Sequence, residues 1–280
     1  MDSESIKKSV REHYAEIARE QKGCCASFAV AGSNCCGLSG LDDIGTAVGY
    51  SKEEMAAVPD GANLGLGCGN PLAFAELSQG DVVVDLGSGA GFDCFIAAPR
   101  VGPSGRVIGV DMTPDMIERA RANARKAETT NVEFRLGEIE HLPVADNSAD
   151  MIISNCVINL STDKPQVFRE ALRVLKPGGR LMVSDLVLKR PLPESVRESV
   201  EAYAGCISGA MLREDYLQAM RDAGFEDVQV AAEGNYPIGA INPDTSELAA
   251  LAEGLPPEDV ADAADSVVSV KVRAVKRQGE

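Results

Sequence analysis

Three cysteines far apart in the chain, Cys68, Cys156 and Cys206, sit in small-residue or polar surroundings: Gly-Leu-Gly-Cys68-Gly-Asn-Pro, Ile-Ser-Asn-Cys156-Val-Ile-Asn and Tyr-Ala-Gly-Cys206-Ile-Ser-Gly. A cysteine taken singly is more often a small buried hydrophobe than a ligand. Three thiolates meeting at one place would instead hold a soft ion in a trigonal pyramid, with a lone pair in the fourth direction. Between the first two lies Val-Val-Val-Asp85-Leu-Gly87-Ser88-Gly89-Ala-Gly91-Phe-Asp. Glycines at a strand-to-helix turn let backbone approach a ligand closely, and the helix that follows offers free N–H groups. The chemistry suggested is transfer of a group from a nucleotide-like cofactor to a thiophilic element.

The elements that must position these residues follow from periodicity. Ile6, Val10, Tyr14 and Ile17 recur at helical spacing, so residues 1–22 are predicted to form an amphipathic helix docked on the main body. Residues 23–40, with the vicinal pairs Cys24-Cys25 and Cys35-Cys36, read as a loop. Ser51 with Glu54 three residues on predicts a capped short helix over 51–57. From residue 81 strands and helices alternate. Strands are predicted at 81–86, 106–111, 132–137, 150–155 and 180–186, with a helix from about Phe92. Thr113 is the predicted N-cap of the next helix, with Pro114 at its first position, and another helix covers 164–175, ended by Pro177-Gly178-Gly179. Helices near 194–205 and 213–223 and strands at 225–232 and 267–276 complete the chain, with an acidic, proline-containing excursion over 233–266. This alternation predicts an α/β fold with a doubly wound, mostly parallel sheet and its ligand at the carboxyl ends of the strands.

In that frame Asp85 and the glycine loop follow strand one, and Asp111 ends strand two, where its carboxylate can accept hydrogen bonds from ribose hydroxyls. Glu138 follows strand three and can reach an adenine amino group. Cys156 follows strand four, at the mouth where the reacting group must lie. Cys68 precedes strand one and Cys206 follows strand five, on loops able to fold over the same mouth.

Composition narrows the partners. The chain has 280 residues, 27 basic and 43 acidic, for a formal net charge of -16. Such a surface repels phosphate backbones and anionic lipid heads, so neither nucleic acid nor a membrane surface is expected as a partner. No apolar run approaches the roughly 20 residues that span a bilayer, and Met1–Lys8 has no secretory apolar region. A cytoplasmic protein is expected, in which eight cysteines serve as ligands or redox relays rather than static cross-links.

Asp85–Gly91, Gly109-Val-Asp111-Met-Thr-Pro, Gly137-Glu138-Ile139-Glu-His-Leu-Pro143 and Leu175-Lys-Pro-Gly-Gly179 together resemble the successive motifs of class I S-adenosylmethionine methyltransferases. The resemblance covers about residues 72–187. It implies a Rossmann-like seven-stranded sheet with an antiparallel last strand near 267–276, and S-adenosyl-L-methionine as cofactor. Asp85 and Gly87 would lie at its methionine end, Asp111 at the ribose, and Met112, Glu138 and Ile139 around the adenine, with Ser88, Gly89, Gly91 and Asn155 also binding the cofactor. The cysteine contexts more narrowly resemble arsenite methyltransferases. That implies arsenite held by Cys68, Cys156 and Cys206 and methylated to methylarsenite and then to dimethylated products, in arsenic detoxification. It also implies an N-terminal cysteine that forms a disulfide with the first ligand in turnover, coupling the reaction to a thiol reductant of thioredoxin or glutathione type. Cys24, Cys25, Cys35 and Cys36 are all candidates, Cys35 and Cys36 being nearer in chain to Cys68. Adjacent cysteines lack the two intervening residues usual in zinc sites.

The attacking arsenic lone pair carries no proton, so no general base is needed, and His13 and His141 read as structural. Cys94 reads as close packing beneath the cofactor. Asn70, Asn155 and Asn159 either orient ligands and donor or cap loop backbone. The expected organisation is an N-terminal helix and cysteine loop (1–67), a cofactor-binding domain (68–188) and a section completing the sheet and the arsenic site (189–280). Two rival readings share parts of this pattern. One is a quinone or small-molecule carbon methyltransferase; the other is an arsenic-sensing binding protein that keeps the cofactor fold as scaffold.

Overall fold

The computed structural model describes residues 3–19, 41–197, 207–235 and 256–279. The expected loop with Cys24, Cys25, Cys35 and Cys36, the third sulfur of Cys206, and residues 236–255 of the acidic excursion lie outside the described residues.

Seven strands form one sheet in the order β3-β2-β1-β4-β5-β7-β6. They are β1 (Val82–Leu86), β2 (Arg106–Asp111), β3 (Val132–Leu136), β4 (Ala149–Asn155), β5 (Leu175–Leu188), β6 (Phe225–Asn235) and β7 (Val267–Lys276). The first five pair in parallel, and β7 runs antiparallel to both β5 and β6. Valine and isoleucine dominate the central strands because both faces are covered, and Val83, Val84, Leu86, Ile152 and Ile153 are wholly buried.

The helices are α1 (Ser3–Arg19), α2 (Leu41–Ala47), α3 (Lys52–Ala56), α4 (Phe92–Val101), α5 (Pro114–Lys126), α6 (Lys164–Val174), α7 (Glu194–Arg197), α8 (Arg213–Asp222) and α9 (Pro257–Ser266). One face of the sheet packs on α6 and α8 through Phe168, Ala171, Tyr216 and Met220. The other packs on α4 and α5 through Phe95, Ile96, Ile117 and Ala120. Among the described residues no helix is long and apolar enough to cross a membrane.

One local expectation holds and two are refined. Ser51 does form a reciprocal capping box with Glu54 at the start of α3. Thr113 is the N-cap of α5, but its side chain makes no capping bond there; the backbone N–H of Thr113 instead donates to Asp111 Oδ1 at 2.8 Å. Pro177-Gly178-Gly179 does not separate helix from strand, because β5 begins at Leu175, directly after α6. These residues form an irregularity within β5, where pairing jumps from Ala149↔Leu175 to Met151↔Arg180 and Gly178 takes a φ of +79°.

The sheet order explains where a ligand must go. From β1 the chain proceeds outward to β2 and β3, then returns to the other side of β1 as β4. Loops leaving β1 and β4 therefore diverge, opening a crevice at their carboxyl ends. Leu86 is level with Ser154 in the register, so the glycine loop and Cys156 leave the sheet side by side.

Candidate active site

The crevice is a cavity lined on one side by Asp85, Gly87, Ser88 and Gly89 and on another by Asp111, Met112 and Ile139. Gly87 has a φ of +66°, and a Cβ there would overlap the Val157 side chain. Gly89 has a φ of +51°, and nothing lies within 4 Å of where its Cβ would be, so this peptide stands open to the cavity. Gly91 does not line the cavity. Its missing Cβ makes room for the rings of Phe95 and Phe134, each 2.7 Å from that position, so its task is packing α4 against the sheet.

Asp111 accepts from Gly89 N at 2.9 Å through Oδ2 and from Thr113 N at 2.8 Å through Oδ1, so two backbone amides fix its plane. Each oxygen keeps lone-pair capacity for a hydroxyl of a ligand. Met112, Met116 and Ile139 supply apolar walls beside it.

Glu138 stands away from the lining. Lys7 Nζ of α1 sits 2.6 Å from its carboxylate and holds it below the ordinary glutamate range. The acid of this turn that lines the cavity is Glu140, which accepts from Ser161 Oγ at 2.7 Å and lies 3.3 Å from the same ammonium. A tight turn, with His141 N bonded to Glu138 O, decides which acid faces inward. Helix α1 closes this side, since Lys7, Val10 and Tyr14 all line the cavity. Neither His13 nor His141 does.

These residues fit S-adenosylmethionine. The glycine turn leaves room for close approach, and the buried hydroxyl of Ser88 at the cavity wall has no hydrogen-bond partner among the described residues. The buried carboxyl groups of Asp85 and Asp93 also face the cavity, as suits a cationic ligand. The apolar walls beside Asp111 suit a flat base.

The opposite wall carries sulfur. Cys68 and Cys156 are joined in a disulfide with their Cα atoms 5.7 Å apart, across 88 residues of sequence. Cys156 lines the cavity, while Cys68 lies behind it at 2% exposure. Cys156 has a φ of +57°, a left-handed backbone that a non-glycine residue adopts only when its surroundings impose it. Its N–H donates to the Ser184 carbonyl at 2.9 Å, which fixes the turn as the chain leaves β4.

Asn155 ties the two walls together. Its Oδ1 accepts from Cys68 N at 3.1 Å, and its Nδ2 lies 2.8 Å from both the Gly69 carbonyl and the Tyr50 hydroxyl and 3.1 Å from Asp93 Oδ2. Ser269 Oγ of β7 donates to the Cys68 carbonyl at 2.9 Å. Asn70, by contrast, caps the short 3-10 turn at 71–73, accepting from Ala73 N at 3.1 Å.

Sequence reasoning missed Asp185. One of its oxygens and the sulfurs of Cys68 and Cys156 all lie within 4.8 Å of one another. Asn159 Nδ2 at 2.8 Å, Leu186 N at 2.9 Å and the Tyr216 hydroxyl at 3.1 Å donate to this carboxylate. Burial nevertheless pushes its pKa up to about 7. The available signal was a lone acid in the apolar run Leu-Met-Val-Ser-Asp185-Leu-Val-Leu, since an unpaired buried acid is rare. Asn159 thus orients Asp185 rather than a ligand directly. Cys94 is the free cysteine among the described residues, and its thiol donates to Asp85 Oδ2 at 3.2 Å beneath the loop. Burial raises the Cys94 pKa well above the thiol norm, so it stays a neutral donor.

A parallel sheet reversing beside β1, a glycine turn at the reversal and a carboxylate after β2 define the class I S-adenosylmethionine-dependent methyltransferases. A methyltransferase domain family matches residues 77–224. An arsenite methyltransferase of Halobacterium salinarum is 50% identical over 233 residues, 82% of this chain and 60% of that protein. One from Aquipseudomonas alcaligenes is 39% identical over 78% of this chain and 62% of its own length. The crystal structure of an arsenic(III) S-adenosylmethionine methyltransferase from Chlamydomonas reinhardtii superposes with a TM-score of 0.64 at 33% identity, covering 85% of this chain and 75% of that one. The chain belongs to the methyltransferase domain family, and it spans about 60% of the length of the curated relatives it matches.

Proposed function

We propose that this protein methylates trivalent arsenic, using S-adenosylmethionine as donor. The observation that carries the reading is the meeting of Cys68 and Cys156 beside the glycine-loop cavity. Sulfurs 88 residues apart, presented at the methyl-transfer mouth, suit a thiophilic acceptor and have no evident use with a carbon acceptor.

The disulfide must first be reduced by two electrons. A thiol reductant of thioredoxin or glutathione type suits this step, and so does a reducing cytoplasm. The two freed thiols displace hydroxide from arsenite, each losing its proton to the departing water. Cys206 is the candidate third ligand, by resemblance. S-adenosylmethionine, which Asp85, the glycine turn and Asp111 would hold, would supply an electrophilic methyl group for the arsenic lone pair, the C–S electrons staying on its sulfur. Arsenic passes formally from the trivalent to the pentavalent state, and two electrons from thiols return it to trivalent methylarsenite for a second round. Cys35 or Cys36 is the candidate cysteine relay for those electrons.

The protein's own contribution is placement. Asn155 holds the Cys68 backbone, the Ser184 carbonyl holds Cys156, and α1 covers the crevice against water. Fixing two reactants at contact distance can be worth as much as about 7–11 kcal/mol. No residue need remove a proton from the attacking atom. The organisation proposed is an N-terminal helix and cysteine-rich loop (1–67), the donor domain (68–188) and a section completing the sheet and the arsenic site (189–280).

The test is speciation of arsenic products after incubation with donor and a dithiol reductant, alongside single serine variants of the three cysteines. Methyl- and dimethylarsenicals from the native chain, lost in the variants, support the reading. Undiminished methylation by Cys156→Ser overturns it.

A further inference from the structure

Two carboxylates of the cavity wall lack a counter-charge. Asp85 at the end of β1 and Asp93 in the first turn of α4 are 2% and 6% exposed, and both face the cavity. Their side-chain hydrogen-bond donors are neutral. The Cys94 thiol reaches Asp85, the Tyr50 hydroxyl reaches Asp93 Oδ1 at 2.6 Å, and Asn155 Nδ2 reaches Asp93 Oδ2. Among the described residues no lysine or arginine forms an ion pair with either. Arg100, which acts on Asp93 electrostatically, is itself paired with Glu54. Burial first, then the charge of Asp93, pushes the Asp85 pKa well above the carboxylate range, and burial pushes Asp93 up to about 6. A buried anion without a cation costs free energy that a cationic ligand offsets.

S-adenosylmethionine brings two positive centres, an ammonium and a sulfonium. Methyl transfer leaves the C–S electron pair on sulfur, so the product is a neutral thioether that keeps only the ammonium. We infer that the Asp85–Asp93 pair reads this difference, holding the donor by its full positive charge and releasing the demethylated product once the sulfonium charge is gone. The inference rests on the donor named under the proposed function. It makes Asp93, which stands outside the glycine loop, a residue that discriminates donor from product.

The test is calorimetric titration of the full chain, without arsenic, against S-adenosylmethionine and S-adenosylhomocysteine. Asp93→Asn keeps an acceptor for the Tyr50 hydroxyl but removes the charge. It should cut the donor-to-product affinity ratio about tenfold, as expected for a charge pair of a few ångströms in a partly screened site. Tyr50→Phe retains the charge and should leave the ratio in place. Equal weakening of both ligands by Asp93→Asn, or no change, overturns the inference while the donor assignment stands. Failure of the native chain to bind either ligand removes the donor assignment, and the inference with it. The unaltered chain offers a second measurement, independent of whether a variant folds. The aza analogue of the donor, with a protonated amine in place of the sulfonium, should compete better than the thioether, and equal competition overturns the inference.

Discussion

The two walls of the cavity are assembled in opposite ways. The donor wall is nearly continuous, from Asp85 to Gly89 in one turn, with Asp111 and Met112 one strand away. The acceptor wall is gathered from distant places: Cys68 before the sheet, Cys156 after β4, Asp185 within β5 and Ser269 on β7. A contiguous wall needs only local backbone geometry, so it works wherever a strand meets a helix. The gathered wall depends on strand order and register, which makes it specific to this chain's chemistry and sensitive to its tertiary packing. On the proposed function, the general chemistry sits in a turn and the particular chemistry in the assembly.

That contrast can be broken most severely at the sulfur. Cys156→Ser should lower methylation of arsenite and methylarsenite at least a hundredfold in product assays, while donor affinity by calorimetry stays within about threefold. Loss of both together would mean the walls are not separable. Reduction comes next. Opening the Cys68–Cys156 bond frees a loop of 88 residues, which the chain-entropy relation values at about 4.6 kcal/mol. The melting temperature should drop by roughly 10 °C in excess dithiol. Arsenite should recover much of that drop in the reduced protein by bridging the sulfurs again, and a melting curve indifferent to arsenite would count against a shared site.

The reciprocal break lies in the donor wall. Gly87→Ala forces a left-handed backbone on an L-residue and drives its methyl into Val157. Donor affinity should fall at least about tenfold, whereas arsenite binding, followed by the same thermal recovery, should persist. A subtler effect concerns Asp185. Its folded pKa of about 7 lies above the roughly 3.9 of an unfolded aspartate, so the native chain holds a proton that the unfolded chain has released between those values. Stability from this group is complete below about pH 4 and is lost as pH rises through 7. Asp185→Asn should remove that decline, on the order of a few kcal/mol, and an unchanged slope of melting temperature against pH would refute the assignment. The smallest effect is expected at the lid. Lys7→Met breaks the pairs with Glu138 and Glu140 and should raise the donor KM about two- to fivefold with little change in kcat.

Legibility followed the same division. The bounds of β2 and β7 match the periodicity, and Asp111 lies where its strand end required, because alternating strand and helix signals are local. Cys156 was also readable, since it follows a strand that could be delimited. The partners of Cys156 were not. Asn155 is level with Ser184 only because β4 lies beside β5, and that register brings Asp185 to the sulfurs. The hydroxyl of Tyr50 meets Asn155 across 105 positions, which no spacing rule foreshadows. The exchange of Glu138 for Glu140 at the cavity turned on one tight turn, too fine a feature for residue type to decide.

The left-handed backbone at Cys156 carries a cost beyond catalysis. Reduced protein must sustain that conformation without the cross-link that accompanies it, with the Cys156 N–H still held by the Ser184 carbonyl of β5. Replacing this residue by glycine should therefore yield a chain that is inert toward arsenic yet sturdier than the reduced native form. At this one position durability and reactivity pull in opposite directions, so a screen for heat resistance alone would steadily discard the enzyme.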